Sequence, residues 1–432
     1  MAAAAVAASV LAPQLRGQTT RWWTPRSLAE SAHRELPWLT VNGELRSRFE
    51  APTGLTFSEG NNDAVLLTRM RVSAGIKAKP WLELQCEWQD SRAFGKDEPV
   101  PGSMADTLDV RQAFLRLGQA EGPGLRARVG RQALKFGKGR LVWDPDWGNF
   151  GQVFDAVRVT ASGRVWKLDA FAASQVVPRT GQFNRSNRSN VLYGLYSSAQ
   201  RSQGRLQVEP YWLVKSSAQQ AGESGRSGAL SVHTVGARAQ GLVSAAIDWE
   251  LEVAHQTGRI AGGPVRAFGG VGQVGVRTGK QSWQPRLVAT YMYGSGDSDP
   301  RDGKRGTFDS LYPSVHLRNG ATDRIGWANI KDFSVQGEWQ LRSKWKLQAG
   351  WHDFHVASRT DALYSPGGIA IVRNPGAPGT HVGWELFGIV EVQLTRAAGL
   401  SSGYAYLFRG PFLTSASRCG AAQPYLSLTY RY

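Results

Sequence analysis

Basic and apolar side chains alternate along several stretches of this sequence. In one of them the basic residues are Arg69, Arg71, Lys77 and Lys79, and the apolar residues between them are Met70, Val72, Ala74, Ile76 and Ala78. Successive side chains of an extended strand point to opposite faces of a sheet, so this stretch predicts a strand with one apolar and one cationic face. Guanidinium and ammonium groups bind carboxylates and phosphates, which makes the cationic face a candidate site for an anionic ligand.

Motifs for catalysis or metal binding are weak by comparison. The acidic segment with Asp297, Asp299 and Asp302 departs from EF-hand spacing and lacks the glutamate at the twelfth place, so we interpret it as a solvated loop in preference to a calcium site. His352 and His355 would lie on opposite faces of a strand, which argues against metal ligation. No HExxH motif occurs, and only a hydrolase whose Ser and His are brought together by the fold stays open. We expect no cofactor and no metal site.

Composition narrows both the fold class and the partner. The chain has 432 residues, a formal net charge of +17, 50 glycines, 16 tryptophans, 12 tyrosines and 16 phenylalanines. Frequent glycine and aromatic residues are typical of β proteins with many turns, and the chain after its N-terminus has no apolar run long enough for a membrane-spanning helix. The charge indicates an anionic partner: nucleic acid, anionic lipid or acidic polysaccharide. Nucleic acid is disfavoured, because the basic residues alternate with apolar ones instead of clustering beside exposed rings.

The N-terminal residues are similar to a secretion signal. Residues 2–12 are apolar over the length of a signal h-region, although a basic n-region is missing and Pro13 disfavours cleavage directly after Ala12. We interpret residues 1–20 as a signal peptide and residues 21–38 as a lead-in, and an alanine-rich tail without a targeting role is the alternative. The two cysteines form no CxxC motif, which suits an envelope protein without disulfides but also a cytosolic one.

Segments with a period of two continue from residue 39 to the C-terminus. In residues 39–50, Val41, Leu45 and Phe49 share one face, and Arg46 and Arg48 lie on the other. We expect about eighteen such strands. Short turns are expected at residues 79–80, 161–163, 244–246, 342–344 and 395–399, and long loops at residues 51–62, 91–106, 135–151, 175–190, 216–232, 295–328 and 357–382. This alternation is typical of an outer-membrane barrel with short periplasmic turns and long extracellular loops.

The final strand supports the same class. Residues 423–432, QPYLSLTYRY, alternate and end in Tyr432, as expected where terminal aromatic residues lie in an interfacial girdle, and a buried strand of a soluble domain is the alternative. We therefore predict an all-β chain that forms a single transmembrane antiparallel β-barrel over residues 39–432, in the outer membrane of a Gram-negative-type cell. In this barrel Met70 faces lipid. The basic residues expected to face a hydrated lumen by alternation include Arg46, Arg48, Arg69, Arg71, Arg128 and Lys167.

Two variants would distinguish the faces of the strand. Met70→Arg would place a charge in lipid, at a cost of about 2–4 kcal/mol near the bilayer midplane. Replacing both Arg69 and Arg71 with Glu would leave the fold intact, because a hydrated lumen tolerates either sign of charge, and would weaken anion selectivity.

A longer motif gives a family resemblance. The segments Gly130-Arg131-Gln132, Gly139-Arg140-Leu141, Trp147-Gly148-Asn149 and Phe154-Asp155-Ala156-Val157-Arg158 follow one another, and residues 294–316 and 382–394 add two further matches. In this combination the chain resembles the alginate-export family of outer-membrane proteins over residues 38–432. The resemblance implies an eighteen-stranded barrel with a strongly basic pore through which an anionic polysaccharide passes.

The resemblance also implies which residues bind the ligand and which partners to expect. It assigns Arg69, Arg71, Arg131 and Arg158 to the pore, although strict alternation puts Arg131 on the lipid side with Val129 unless a bulge re-aims it. The implied partners are outer-membrane lipid, an anionic polysaccharide such as alginate, and periplasmic secretion-machinery proteins. An uptake porin for small anions or oligosaccharides would need the same barrel and charge, so export and uptake stay open, and a barrel hydrolase is a third alternative.

Overall fold

The computed structural model describes residues 36–96, 104–119, 122–179, 181–201, 205–222, 225–278, 283, 285–341 and 343–432. The predicted signal peptide at residues 1–20, and the predicted lead-in up to residue 35, lie outside this part of the chain. None of the helices in the described part is long and apolar enough to cross a membrane.

The described residues form 21 β-strands, numbered here in chain order. The first nine are β1 (Leu39–Glu50), β2 (Val65–Lys79), β3 (Leu82–Phe94), β4 (Asp106–Leu117), β5 (Gly124–Gln132), β6 (Phe154–Ser162), β7 (Trp166–Val177), β8 (Arg185–Arg201) and β9 (Leu206–Ala221). The next six are β10 (Ser227–Leu242), β11 (Ile247–Ile260), β12 (Gly263–Arg277), β13 (Arg286–Gly294), β14 (Ile330–Leu341) and β15 (Trp345–Val356). The last six are β16 (Ala362–Tyr364), β17 (Ala370–Arg373), β18 (His381–Gln393), β19 (Ala398–Arg409), β20 (Ala421–Ala422) and β21 (Tyr425–Arg431). A helical turn at Pro411–Thr414 and a 3-10 turn at Leu55–Phe57 accompany them.

These strands close into an antiparallel barrel. Strands β1 to β15 pair with their neighbours in sequence, β15 pairs with β18, β18 pairs with β19, and β21 pairs with both β19 and β1. Strands β16 and β17 form a separate hairpin, and the two-residue β20 adjoins β19 just before β21. The barrel therefore has 18 strands, and the predicted fold class is confirmed.

The connections differ in length between the two ends of the barrel. The five predicted short turns are confirmed at residues 80–81, 163–165, 243–246, 342–344 and 394–397, and all lie at one end, here called the short-turn end. The opposite end, here called the long-loop end, carries the connections 51–64, 95–105, 133–153, 295–329, 357–380 and 410–424. This is the arrangement expected of an outer-membrane barrel.

Two predicted loops at the long-loop end are shorter than expected. The loops predicted at residues 175–190 and 216–232 shrink to residues 178–184 and 222–226, and a turn at residues 261–262, which was not predicted, joins strands β11 and β12. Polar segments such as RSNRSN at the start of β8 have low strand propensity, which is why they predicted a loop. In the structure these polar segments extend the paired strands. Cross-strand hydrogen bonds continue into them, because beyond the membrane neither face of a strand has to be apolar.

The outer face of the barrel is apolar. Strands β1 and β2 pair so that Leu45 lies opposite Met70, and Arg46 opposite Arg69. Leu45 and Met70 are 47% and 43% exposed, whereas Arg69 is 2% exposed. Exposed apolar side chains continue around the sheet at Leu84, Leu115, Val157, Leu195, Leu251, Val274, Leu287, Val335, Leu386 and Leu428. A segment that crosses a membrane needs an apolar surface toward lipid and a hydrogen-bond partner for its backbone groups. Paired strands with an apolar exterior provide both.

The barrel interior contains a hydrophobic cluster. The connections 133–153 and 295–329 contribute apolar side chains that pack with residues of the barrel wall, and the cluster includes Leu134, Phe136, Leu141, Val142, Phe154, Phe171, Tyr196, Met292, Leu311 and Tyr312. The hydrated lumen expected from the sequence therefore shares the interior with an apolar cluster that was not predicted. Alternation along the strands reveals only the polarity of the wall, and contacts between two distant loops leave no periodic signal in the sequence.

Met70→Arg tests which face of β2 meets lipid. We expect the free energy of unfolding to fall by about 2–4 kcal/mol if the position lies near the bilayer midplane, as measured by urea unfolding in lipid vesicles. Met70→Leu keeps an apolar side chain at the same place and should change little. Normal stability of the Met70→Arg protein in vesicles would contradict the outward placement of this face.

Candidate pore constriction and vestibule

The connection 133–153, here called the constriction loop, crosses the barrel interior. Arg140 of this loop forms ion pairs with Glu250 and Glu252 of β11, and Asp146 forms an ion pair with Arg69 of β2. Strands β2 and β11 are nine strands apart in the closed ring of 18, which places them on opposite walls. The constriction loop is therefore fixed to both sides of the lumen and divides it.

Arginines of β1 and β2 bind the backbone of the constriction loop. Arg46 donates hydrogen bonds to two carbonyl oxygens within residues 146–148, at 2.7 and 2.8 Å, and Arg48 donates to a third at 2.6 Å. Arg69 donates to the same two carbonyls as Arg46, at 3.0 and 3.2 Å. A buried carbonyl without a donor would cost free energy comparable to a lost hydrogen bond. These three predicted ligand-binding residues thus stabilise a loop that has left the sheet.

The carboxylate of Asp146 completes this contact. Its Oδ1 atom lies 2.8 Å from Nη2 of Arg69 and 3.2 Å from Nη1 of Arg71, and Nε of Arg69 also lies 2.9 Å from Glu44 of β1. Burial opposes ionisation of Asp146, but Arg69, Arg71 and Arg46 outweigh burial and hold the pKa of Asp146 well below its usual range. The side chain is 52% exposed, but the surface it exposes lines the cavity inside the barrel.

A second carboxylate joins the constriction loop to β4. Asp144 forms ion pairs with Arg111 of β4 and with Lys135 of its own loop, the latter at 3.3 Å. A register shift between β3 and β4 lets Arg111 point inward beside Gln112. Burial would raise the pKa of Asp144, but Arg111 and Lys135 lower it below its usual range.

The connection 295–329, here called the inner loop, packs against the constriction loop. Val142 and Tyr312 form a parallel bridge between the two loops, flanked by backbone hydrogen bonds of 2.8 and 2.9 Å. Asp309 of the inner loop pairs with Lys215 of β9 at 2.7 Å. The two loops therefore form one unit that is held to the wall by ion pairs.

Three other predicted ligand-binding residues lie together on β5, β6 and β7. Arg158 donates to both carboxylate oxygens of Asp169, at 2.9 and 2.8 Å, and Lys167 reaches the same carboxylate at 2.9 Å. Arg128 lies opposite Arg158 in the strand register, and its guanidinium carbon is 4.9 Å from the ring centroid of Phe114. The carboxylate of Asp169 thus balances the charges of Arg158 and Lys167, whereas the guanidinium of Arg128 packs on the ring of Phe114.

Arg131 lies apart from the other seven predicted residues. It is opposite Asp155 in the register of β5 and β6 and forms an ion pair with it at 2.9 Å. This face of the sheet also carries Val129 and Val157, which are both exposed. The register between β5 and β6 has no bulge that would turn Arg131 inward. We therefore leave Arg131 out of the proposed pore lining.

A cavity of about 1340 Å³ opens between the constriction loop and the wall formed by β1, β15, β18, β19 and β21. Its basic lining residues are Arg46, Arg48, Lys135, Arg318, Lys346 and Arg431; its acidic ones are Asp144, Asp146 and Glu391; and its rings are Trp143, Trp147, His316 and Tyr425. Its lining residues on β18, β19 and β21 lie where these strands meet the short-turn end. We call this cavity the vestibule.

The two tryptophans of the vestibule differ in what covers their rings. The guanidinium carbon of Arg48 lies 3.9 Å from the Trp147 ring centroid, and the His316 ring stacks on Trp147 at 3.7 Å. Two groups this close to one centroid must lie on opposite faces, so both faces of Trp147 are occupied. Trp143 has Lys135 Nζ at the longer distance of 5.6 Å. Trp143 is therefore the better platform for an incoming ring.

Sequence reasoning found Arg46 and Arg48 in this cavity but missed its other basic residues. Lys135 lies in a loop that contains two tryptophans among basic residues, and this unusual composition was the available signal. Arg318 lies in a loop without periodicity, and the sequence contains no signal for its position. Lys346 and Arg431 alternate with apolar neighbours near the ends of their strands, as inward residues do.

A second cavity, of about 980 Å³, lies at the long-loop end. Its charged lining residues are Lys215, Arg305 and Asp309, and its wall residues belong to β9, β10, β11 and β12. These strands are on the opposite side of the ring from the wall of the vestibule. The paired constriction and inner loops therefore separate a vestibule at one end of the barrel from a cavity at the other.

Two histidine–aspartate pairs line the interior, but neither resembles a hydrolase triad. His352 Nδ1 lies 2.9 Å from Asp332, and its other ring nitrogen lies 3.0 Å from the side-chain amide of Gln336, where a triad needs a serine hydroxyl. His316 pairs with Asp323 at 2.9 Å and stacks on a tryptophan. The acidic side chains of the predicted solvated loop, Asp297, Asp299 and Asp302, accept hydrogen bonds from backbone N–H groups of that loop.

Comparison with known sequences and structures matches this architecture. The sequence matches the alginate export family over residues 37–423. A comparison with curated proteins found no match.

The fold is similar to three solved bacterial structures. The outer membrane protein OpdK of Pseudomonas aeruginosa is 12% identical, with a TM-score of 0.62, 91% of this chain covered and 98% of OpdK covered. OccD3 (OpdP) of Pseudomonas aeruginosa is 11% identical, with a TM-score of 0.61 and coverage of 97% and 96%. OccAB1 of Acinetobacter baumannii is 9% identical, with a TM-score of 0.62 and coverage of 91% and 96%. At these identities the likeness shows a shared fold.

Arg69→Met removes the buried cation that joins Glu44 to Asp146. Removing one partner of a buried ion pair costs about 3–5 kcal/mol, and we expect the lower end because Asp146 borders a cavity. The barrel should persist while the constriction loop loosens, so single-channel recordings should show larger and noisier currents. The sequence predicted that Glu is tolerated at both Arg69 and Arg71. The structure contradicts this prediction, because Glu at these positions would lie beside the carboxylates of Glu44 and Asp146.

The matched control for Arg69→Met is Arg92→Met. Arg92 pairs with Asp90 at 2.8 Å on the outer face of the barrel, and its side chain is 52% exposed. An exposed pair contributes little to stability, so this variant should give unaltered currents. Identical recordings from both variants and the unmodified protein would contradict an anchoring role for Arg69.

Acid should release the constriction loop only at low pH. The pKa of Asp144 and that of Asp146 are both lowered in the folded state, so their stabilising effect is complete above the ordinary carboxyl pKa of about 4 and is lost as the pH falls through the lowered values. Current noise should be the same at pH 7 and pH 5 and rise only well below pH 4. Asp146→Asn should be noisy already at pH 7. A rise in noise of the unmodified protein between pH 7 and pH 5 would argue against these ion pairs as anchors.

Proposed function

Because this chain belongs to the alginate export family, we propose that it exports an anionic polysaccharide, such as a polyuronate of the alginate type, across the outer membrane. The family and the 18-stranded barrel make the protein an outer-membrane channel of a Gram-negative-type cell. The substrate, the contribution of the basic residues and the direction of transport are the proposal. The observation that carries it is the charge and aromatic content of the vestibule.

The vestibule has an excess of positive charge. Six lining residues are basic and three are acidic. Asp144 and Asp146 are already paired with arginines or lysine of the protein, so they repel an anion less than free carboxylates would. A polyanion entering this space therefore meets a net positive potential in surroundings of low dielectric constant, where charge interactions are stronger than in water.

Arg318 is the basic residue best suited to bind a carboxylate. Burial and the neighbouring Arg140 lower the pKa of Arg318 to about 10, so it stays protonated at neutral pH although it is desolvated. Its Nη1 atom donates to the carbonyl oxygen of Ser314 at 2.6 Å. A partly buried guanidinium that is bound to a neutral carbonyl gains a stronger, charge-assisted hydrogen bond when a carboxylate arrives.

An aromatic surface beside the cations suits a sugar ring. Trp143 lines the vestibule next to Lys135, which is 39% exposed at its side chain. The apolar face of a pyranose ring can pack on Trp143 while its carboxylate pairs with Lys135 or Arg318. Binding sites for polar ligands commonly combine apolar walls with a few oriented polar groups. This combination distinguishes a uronate from a small inorganic anion.

The position of the vestibule favours export. Short turns lie on the periplasmic side of outer-membrane barrels, so the vestibule opens toward the periplasm. An exported polyanion would meet this basic and aromatic surface first. The cavity at the long-loop end combines Lys215 and Arg305 with Asp309.

Uptake of small anions or oligosaccharides is the second candidate function. The observation that favours it is the occupied interior, since the paired loops and their hydrophobic cluster leave less space than an open barrel of this strand number would provide. Uptake would require the cavity at the long-loop end to bind the solute first. Block by a ligand added to one side of an oriented channel separates the two candidates.

Planar-bilayer recordings test the proposal. We expect a reversal potential that shows anion selectivity and block of the current by oligouronates, with stronger block from the periplasmic side. Arg318→Gln should weaken oligouronate block about tenfold or more, since loss of a charge-assisted hydrogen bond costs about 1.5–3 kcal/mol. Arg92→Gln, on the outer face, should leave block unchanged.

Three results would overturn the proposal. Cation selectivity would contradict a net positive vestibule. Equal block by neutral and anionic oligosaccharides would contradict recognition of the carboxylate. Stronger block from the extracellular side would favour uptake, and release of reducing ends from a polysaccharide by the purified protein would favour a hydrolase.

A further inference from the structure

Three possible metal ligands meet at the long-loop end of β15 and β18. His355 Nε2 lies 3.3 Å from one carboxylate oxygen of Asp353, and His381 Nε2 lies 3.0 Å from the other. One ligand atom of each of the three residues lies within 4.8 Å of the others. Their side chains are 36%, 31% and 32% exposed for His355, His381 and Asp353. The cluster is therefore reachable from solution and lies outside the pore lining described above.

A bulge in the sheet brings the two histidines together. Asp353 pairs with Trp384 and Phe354 pairs with Gly383, but the next pair is His355 with His381, so Val382 is left over. Val382 is fully buried, and Gly383 has a φ of +152°, which L side chains rarely adopt. Without this bulge His355 would face Val382, and His381 would lie on the other face. Bulges commonly re-aim a side chain in this way.

The bulged pairing explains why sequence reasoning missed this cluster. The HxxH pair was rejected because alternation separates His352 from His355, and the structure does place His352 inside the barrel with Asp332. His355 instead acquires a partner 26 positions further along the chain, after the connection 357–380. Only the bulged pairing of β15 with β18 creates the contact.

The geometry points to a site for a divalent transition-metal ion, and we propose that Asp353, His355 and His381 bind Zn²⁺. Zinc takes imidazole nitrogen and carboxylate oxygen at about 2.0–2.1 Å, which places neighbouring ligand atoms of a tetrahedron roughly 3.3 Å apart. The separations of 3.3 Å and 3.0 Å from Asp353 to the two imidazole nitrogens are close to that value. Two imidazoles also disfavour Ca²⁺ and Mg²⁺, which prefer oxygen ligands.

A further contact would orient one ligand. Nδ1 of His355 lies 3.3 Å from the hydroxyl oxygen of Thr380, while Nε2 points to Asp353. Metal-binding histidines characteristically use their second ring nitrogen in such a hydrogen bond, which fixes the tautomer and the ring orientation. With three protein ligands, a fourth position stays open to water or to an anionic group at the membrane surface.

The site would act as a clip at the base of an extracellular connection. His355 lies just before residues 357–380 and His381 just after them, so a bound ion would close this connection and hold the hairpin of β16 and β17 in place. Closing a loop of this length reduces the entropy of the opened state. The exposed rings of Trp384 and Phe408 stack 3.9 Å apart directly beside the cluster, as aromatic residues do at a membrane interface.

Zinc binding to tag-free protein in detergent tests the proposal. Equilibrium dialysis should show one saturable Zn²⁺ per chain in the unmodified protein. Calorimetry should show that zinc raises the temperature at which the connection 357–380 unfolds. His355→Ala and His381→Ala should each abolish saturable binding and the zinc-dependent rise. Asp353→Asn keeps the shape of the side chain and should weaken binding, and Co²⁺ should give visible absorption of a low-symmetry site in the unmodified protein only.

The matched control is His255→Ala. His255 is exposed on β11, and among the described residues it belongs to no cluster of ligand side chains, so its loss should leave zinc binding unchanged. Heat-modifiable migration in gels verifies that each variant is folded. Absence of saturable zinc binding in the unmodified protein, equal binding in the His355→Ala and His381→Ala proteins, or equal affinity for Ca²⁺ and Zn²⁺ would each overturn the proposal.

Discussion

Backbone groups that leave a β-sheet and enter a barrel need new hydrogen-bond partners, and this requirement governs the interior of the protein. The constriction loop carries its carbonyl oxygens to the inner wall, where they cannot all pair with a neighbouring strand. Arg46, Arg48 and Arg69 supply the donors, since one guanidinium can bond to two carbonyls and a carboxylate at the same time. A wall of arginines on β1 and β2 is therefore first a structural device, whatever passes through the barrel.

The same requirement explains why the interior is mixed in charge. Each arginine that binds a loop brings a buried positive charge, and the protein compensates it with Glu44 on the wall and Asp146 on the loop. On the opposite wall the charges are exchanged: the loop supplies the cation, Arg140, and β11 supplies the carboxylates of Glu250 and Glu252. Buried pairs of this kind position the loop more than they add to stability, because desolvation offsets much of the attraction. In the proposed function, the charge that attracts the substrate is the excess of basic over acidic residues that line the vestibule.

The sequence predicted the wall of the barrel well and its contents poorly, for one physical reason. Alternation records which face of a strand meets lipid, so Met70 and Leu45 outside and Arg46 and Arg69 inside could be read directly. The partners of those arginines are up to about a hundred positions away, in a loop without a period. Bulges are equally invisible, since one extra residue at Arg111 or Val382 changes the face of its neighbours without changing the composition. Loop contacts and bulges, which create the vestibule and the histidine cluster, therefore became visible only in three dimensions.

Under the proposed function the anchors of the constriction loop and the ligand are chemically alike. Asp146 offers its carboxylate to Arg431 of β21, 3.8 Å away, and each uronate of the polymer offers the same group to this residue of the vestibule. The two would compete for Arg431, because an arginine that binds a uronate at full strength gives up part of its contact with the loop. A neutral oligosaccharide cannot compete in this way, so it has no means of loosening the loop. The ion pairs that hold the constriction loop would thus also make its position depend on the charge of the substrate.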